Sequence, residues 1–441
     1  MTPLEIATDA TGRSASTEAN GKNGAIYQTV WRLHFYAGLF VVPVVLLLAV
    51  TGAIYLFKPH LEPILYQDAW FTEVPQTSIS PTSLSIDQQL RHAKAAYPEM
   101  RFSGIQRFSD PTRTTEFSAR QNSQTTLVYL SPYSGAITGQ IDRDQMLMRR
   151  VRNLHGELML GTIGSAIVEL AACWTVVLLT SGLYLWWPRG KSKWKGVFWP
   201  RRAAGKRIFW RDIHAVVAVY SSIIILTLIM TGLPWSNVWG GAFKRSLAAT
   251  GQAQPAAASR RPKFQSTVSA ATAIPVAKAL EIAAEHGMTG DLSIKLPRGK
   301  KGAYSFAQRP LDLSQHRFLH LDQYTGAVLS KATWADFPVG AAAQTIGIRL
   351  HQGELFGVAN LVIMLLACVA LGIITVSGIV MWWCRRPKGQ FAAPPQGVRI
   401  TRSKPMLVMT ILFAIFFPLV GASVVVFVAG EQLVNRSGKT E

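Results

Sequence analysis

The sequence predicts an α-helical integral membrane protein built as a parallel internal repeat. The unit is a transmembrane helix, an outward-facing α+β domain and a second transmembrane helix; it is used twice, and a fifth transmembrane helix follows at the C-terminus. Three observations predict this. Of the 441 residues, 49% are hydrophobic and mean hydropathy is positive, which is ordinary for a membrane protein and unusual for a soluble domain. Five apolar stretches, Leu33–Phe57, Ala166–Trp187, Ala215–Trp235, Val358–Trp383 and Met406–Ala429, reach the roughly 20 residues needed to cross a bilayer core. The same motifs also return at the same spacings in both halves.

Residues 1–30 are polar and rich in Gly, Ser and Thr, and read as a disordered cytoplasmic tail. The first span, 31–58, is too long for the apolar region of a signal peptide and no cleavage pattern follows it, so it reads as an anchor. An outward domain (59–150), a second span (151–188), a short basic loop (189–208) and a third span (209–236) come next. The second outward domain covers 237–345, with a linker by composition at 248–275. A fourth span (346–384), a second basic loop (385–404), a fifth span (405–430) carrying Pro418, and a tail (431–441) complete the chain.

The formal charge of +21 suggests nucleic acid, but its distribution argues for lipid. Residues 188–211 hold nine Lys/Arg and no acid, and residues 385–404 hold six and no acid. Short basic loops between spans lie on the cytoplasmic side. The long polar segments then face outward, into the periplasm of a bacterium, and the N-terminus lies on the cytoplasmic side of the inner membrane. Trp31, Trp186, Trp187, Trp235, Trp382 and Trp383 stand near span ends, as an interfacial belt requires. Cys173, Cys368 and Cys384 fall within or at the end of spans, so no disulfide framework is implied.

The repeat is read from spacing. His34 precedes Thr51-Gly52 by 17 residues, as His214 precedes Thr231-Gly232. His155 precedes Ser181-Gly182 by 26 and Trp186-Trp187 by 31; His351 precedes Ser377-Gly378 and Trp382-Trp383 by the same intervals. LHGELMLG (154–161) answers LHQGELFG (350–357). In the outward domains SQTTLVYLSPYSGAITG (123–139) aligns with SQHRFLHLDQYTGAVLS (314–330), each a strand, a turn and a strand. Upstream, 85–98 and 275–287 read as amphipathic helices, the first with Ser85 as N-cap.

Four histidines therefore sit at equivalent places: His34 and His214 at the inner edge, His155 and His351 at the outer. Ionisable groups this close to hydrocarbon are costly and tend to be functional. The twofold brings His34 toward His214 and His155 toward His351. Two opposed neutral imidazoles suit a haem with both axial positions filled; a two-histidine copper or zinc site stays open, although structural zinc takes four ligands. Arg32, Arg152, Arg211 and Arg349 lie two or three residues before the histidines and could meet haem propionates, while Arg32 and Arg211 equally satisfy the charge rule for cytoplasmic loops. Gly38, Gly161, Gly164 and Gly357 could admit a flat macrocycle.

Weaker signals are these. Glu169, whose counterpart is Leu365, could relay protons or, the favoured reading, bond a neighbouring helix. Glu157 and Glu354 could orient an imidazole or contact substrate, with interfacial solvation an equal reading. His316 and His320 fall on one face of an expected strand, read as solvated rather than iron-touching. His60, His92 and His286 carry no specific signal. No nucleotide motif is present, so electrons come from a quinol or a cytoplasmic flavoprotein.

WRLH with Thr51-Gly52, LHGELMLG with GLYLWWPR, WRDIH with LPWSNVWG, and LHQGELFG with MWWCRRP resemble the PepSY-associated transmembrane helix family, and within it the FoxB-like inner-membrane ferrisiderophore reductases. The resemblance covers roughly 30–390 and makes the outward domains PepSY-like. It implies two b-type haems, with His34, His155, His214 and His351 as axial ligands, and reduction of Fe(III) in a ferric siderophore with release of Fe(II) to the periplasm. The fifth span departs from the four-helix members. Two other readings stand beside it: a regulatory protein whose outward domains restrain a periplasmic protease without a redox cofactor, and a transporter, which the lack of matched broken helices disfavours.

Overall fold

A computed structural model describes residues 9–75, 83–189, 196–259, 264–387, 389 and 403–437. It forms two compact units, a helical one (Met1–Ile54, Asn153–Phe243, Phe356–Glu441) and a sheet unit (Tyr55–Arg152, Lys244–Leu355).

Along the chain, α1 (Asp9–Leu56) is one helix of 48 residues, so helix begins where a disordered tail to residue 30 is expected. Then come α2 (Lys58–Leu65), α3 (Gln67–Trp70), α4 (Ile86–Ala96) and strands β1 (Arg101–Arg107), β2 (Thr115–Gln121), β3 (Gln124–Leu130) and β4 (Ile137–Asp142). Helices α5 (Leu147–Glu157), α6 (Gly161–Trp186), α7 (Lys206–Gly232) and α8 (Trp239–Ala249) follow. After α9 (Val276–Glu285), β5 (Leu292–Lys295), β6 (Ala303–Gln308), β7 (Arg317–Asp322) and β8 (Val328–Thr333), the chain ends in α10 (Val339–His351), α11 (Gly357–Arg385), α12 (Lys404–Phe416) and α13 (Pro418–Ser437).

In the helical unit, among the described residues, four helices are long and apolar enough to cross a membrane: Gly24–Leu56, Gly161–Trp186, Lys206–Trp235 and Gly357–Arg385. On α1, Ala37, Val41, Val45 and Ala49 are buried at four-residue spacing, while Leu39, Phe40, Val50 and Ile54 are exposed. A helix apolar both inside and out is one whose outer face meets lipid. The fifth apolar stretch does not form one transmembrane helix. Proline lacks the N–H that would continue the ladder, and the chain breaks at Phe417 into α12 and α13. α13 lies against α6, where the Trp174 indole N–H donates to Ser423 Oγ at 3.1 Å. Of the basic loops, residues 190–195, 388 and 390–402 lie outside the described residues.

The sheet unit corrects the expectation of two separate outward domains. All eight strands form one antiparallel sheet in the order β4-β3-β2-β1-β5-β6-β7-β8. The halves join where β1 pairs with β5, Ile105 opposite Ile294. The expected helices form: α4 has a full capping box on Ser85, and Asp87 accepts from the backbone N–H of Val276 and Ala277 at 2.9 Å each, capping α9 from the other half. One core serves both halves, with Phe117, Val128, Leu130, Phe306, Leu319 and Leu321 packed under α4 and α9. The segment expected as a linker is partly docked. Ala257 and Ala258 are buried against Phe318 and Ala332 on the second face of the sheet.

Candidate functional site: the histidine seats

His34 lies on α1 and His214 on α7, and their ring centres stand 6.3 Å apart with planes at 86°. Each ring is held by its Nδ1 side. His214 Nδ1 is 2.9 Å from the Ile374 carbonyl of α11; a carbonyl only accepts, so the proton is on Nδ1. His34 Nδ1 is 2.9 Å from Ser181 Oγ on α6. That hydroxyl already donates to the Val177 carbonyl at 2.7 Å, so its oxygen accepts from the imidazole N–H. His155 on α5 repeats the arrangement. Its Nδ1 meets Thr51 Oγ1 at 2.9 Å, and Thr51 donates to Leu47 at 2.7 Å.

Glycine stands beside each hydroxyl for a steric reason. A Cβ on Gly182 would lie 3.2 Å from His34 Cε1, on Gly52 3.3 Å from His155 Cε1, and on Gly378 3.4 Å from His214 Cε1. The approaches at Gly182 and Gly52 are tighter than ordinary van der Waals contact, so a side chain there would push the ring, while that at Gly378 stands at the edge of ordinary contact. The Ser-Gly and Thr-Gly pairs that mark the repeat are thus the surfaces on which the imidazoles rest. Ser181, Ser377 and Thr51 went unrecognised as partners, although their spacings were the clue.

His351 ends α10 in the sheet unit, whereas His155 belongs to the helical unit. The arginines differ among themselves. Arg211 is paired with Asp212 at 2.9 Å, and Arg201 grips the same buried carboxylate at 2.7 Å. Arg349 is paired with Glu354 and donates to the carbonyls of Arg309 and Pro310. Both already hold protein partners. The Arg32 guanidinium lies 5.4 Å from the Tyr36 ring centre, and Arg152 sits on α5 three residues before His155.

Of the glycines expected to admit a macrocycle, Gly38 faces open space, and Gly161 and Gly357 begin α6 and α11 at φ 59° and 58°. Gly164 serves close backbone packing instead, since any Cβ there would strike the Glu157 carbonyl. Glu169 is buried in α6 and accepts from the backbone N–H of Val238 and Trp239 at 2.9 Å each. It bonds a neighbouring element, as favoured, by satisfying donors at the start of α8. His316 and His320 are not on a solvated face. Both are 3% exposed; His320 bonds Ser305 and Ala257, and His316 donates to Pro310 at 3.2 Å. Ala257, Ala258 and Phe264 cover the face that periodicity alone left open.

Among the described residues no group of three or more His, Cys, Asp or Glu is arranged to hold a metal ion, so a closed zinc-type site has no donor set here. Two opposed imidazoles are a different case. Metal–imidazole bonds are about 2 Å, so rings on opposite sides of one iron stand roughly 6 Å apart, centre to centre. The His34–His214 couple has that separation, both Nδ1 protons are engaged, and the residues fit a haem iron.

A comparison with curated proteins finds no match. The sequence pattern of the PepSY-associated TM region matches residues 31–385, from the tryptophan of WRLH to the last residue of α11. The chain belongs to the PepSY-associated TM region family of membrane proteins.

Proposed function

We propose that the protein is a bacterial inner-membrane electron carrier that reduces Fe(III) in a ferric siderophore and releases Fe(II) in the periplasm, using two bis-histidine haems b. The reading is carried by the facing of His34 and His214, 6.3 Å apart, each with its Nδ1 proton engaged. A haem held by these two imidazoles would supply one-electron transfer. By the repeat in the sequence, His155 and His351 are the candidates for the second haem. With each couple holding one haem, the crossing of the bilayer would be divided between two one-electron centres.

The chain's own residues keep Nε2 of His34 and His214 as neutral donors, through Ser181 Oγ and the Ile374 carbonyl. Arg32, Arg152, Arg211 and Arg349, two or three residues before the four histidines, are the arginines that would meet the propionates; Arg211 and Arg349 also pair with Asp212 and Glu354. One electron from a quinol or a cytoplasmic flavoprotein enters on the inner side and one leaves to Fe(III), giving Fe(II), which the chelator holds less tightly. The parallel-repeat architecture, cytoplasmic N-terminus and periplasmic sheet unit belong to this reading; the sheet unit would dock the chelate.

The test is a dithionite-reduced minus oxidised spectrum of the detergent-purified protein, with haem quantified. A low-spin b-type spectrum at about two haems per chain supports the reading. No haem, in cells supplied with it, sinks the reading and promotes the cofactor-free regulatory alternative.

A further inference from the structure

We infer that Ser181 and Thr51 are positioning residues that fix the tautomer and ring orientation of His34 and His155, and that the repeat-equivalent serines Ser181 and Ser377 carry unequal shares of this role. The inference rests on the haem reading above and goes beyond it to residues that never touch the iron.

The argument begins with where each hydroxyl proton goes. Ser181 Oγ stands 2.7 Å from the Val177 carbonyl and 3.2 Å from Leu178. Thr51 Oγ1 stands 2.7 Å from Leu47 and 3.3 Å from Leu48. Such back-bonding to the preceding turn is common for Ser and Thr in apolar helices, and on its own would be mere packing. Here it has a second effect. With its proton committed, each oxygen offers only a lone pair toward the imidazole 2.9 Å away. A neutral imidazole obliged to donate from Nδ1 keeps its lone pair on Nε2. The adjoining Gly182 and Gly52 remove the Cβ that would displace the ring. A hydroxyl that sets the proton beside a glycine that sets the position makes a complete seat for one ring.

His214 is seated differently. Its Nδ1–H donates to the main-chain carbonyl of Ile374 at 2.9 Å, and Ser377 Oγ lies further off at 3.4 Å while itself donating to Ile374 at 3.0 Å. Deleting the Ser377 hydroxyl leaves the acceptor in place; deleting that of Ser181 removes it. Partners that hold a ligating imidazole through its other nitrogen also raise its basicity. Losing such a partner favours the reduced metal and moves the potential upward.

The experiment uses the full-length protein in detergent, comparing wild type with S181A, S181C, S181T, S377A and T51A for haem affinity and for the midpoint potentials of the haems, with size-exclusion profiles as the folding check. Cysteine preserves volume with a poor acceptor, so S181C reads the lost bond should S181A fold badly. Expected are haem binding weaker by about 10–100-fold in S181A and S181C, one midpoint potential shifted positive, recovery of both in S181T, and S377A at wild-type values. T51A should move the other potential. Well-folded S181A and S181C with wild-type affinity and potentials overturn the inference, as does S377A as impaired as S181A. Wild type without haem overturns the parent reading as well; wild type with haem beside a silent S181A overturns this one alone.

Discussion

In the first half of the chain His34 gives its Nδ1 proton to a side chain, Ser181; in the second half His214 gives it to the main chain, at Ile374. The same contrast recurs nearby. Glu169 in α6 satisfies two backbone donors ahead of α8, whereas its counterpart in α11 is Leu365. Between α5 and α6 the chain turns through left-handed Leu158 and Met159 at φ 49° and 59°, while the matching turn before α11 uses Gly353 at φ 75°. Residue types that face an imidazole are kept in both halves, and those that attach the surrounding scaffold have diverged. An imidazole tolerates few neighbours, whereas a helix can be fastened in many ways.

Breaking the pair at its centre has the largest expected effect. H34A or H214A removes one of the two opposed rings and should abolish the absorbance of the haem proposed for that couple; H316A, in a histidine of the sheet unit, should keep it. Next is the glycine comparison. G182A places a Cβ 3.2 Å from His34 Cε1, while G38A meets open space, so G182A should lower haem content and G38A should not. If G38A is the worse variant, the seats are not steric.

Making α6 resemble α11 sharpens the scaffold side. E169L orphans two backbone donors, each unsatisfied buried group costing about 1–3 kcal/mol, and should lower the unfolding midpoint, whereas the reverse change L365E puts a carboxylate into an apolar span and should be at least as harmful.

The sheet unit supplies a smaller contrast, in pH. Burial lowers the proton affinity of His316 and His320 from the ordinary value of 6.5. The unfolded chain then binds more protons below that value, so their contribution is present above pH 6.5 and lost as pH falls. Burial raises Glu116 and Glu62 from 4.5; their contribution is present below 4.5 and lost as pH rises through the raised values. Hydrogen-exchange protection, taken relative to the intrinsic rate at each pH, should fall near β7 on acidification while that near β2 rises, and parallel responses would contradict the assignment. Least is M159G, which relieves left-handed backbone worth about 1 kcal/mol against glycine's entropy and should leave stability unchanged or slightly raised.

Much of this was legible in the sequence. The spans, both amphipathic helices and the strand–turn–strand units rest on local periodicity, which residues encode directly. The histidines and their Thr-Gly and Ser-Gly markers were visible as intervals, but an interval does not tell which helix faces which, so Ser181 and Thr51 passed as landmarks. Pro418 signalled a break that hydropathy averaged away. The pairing of β1 with β5 depends on contacts nearly 190 residues apart, beyond any local pattern. His316 and His320 were misjudged because period-two alternation identifies a face without saying what covers it.

The antiparallel join of β1 and β5 has a consequence for ancestry. Were either half a chain of its own, β1 or β5 would end its sheet as an open edge, with unpaired N–H and C=O groups ready to template another strand. Two identical copies meeting at that edge about a twofold axis would have to run antiparallel, as β1 and β5 do here. The gene would then have fused an interface that already existed between two separate molecules. Cutting the chain between residues 190 and 195 and expressing the two pieces together should reunite them through these strands.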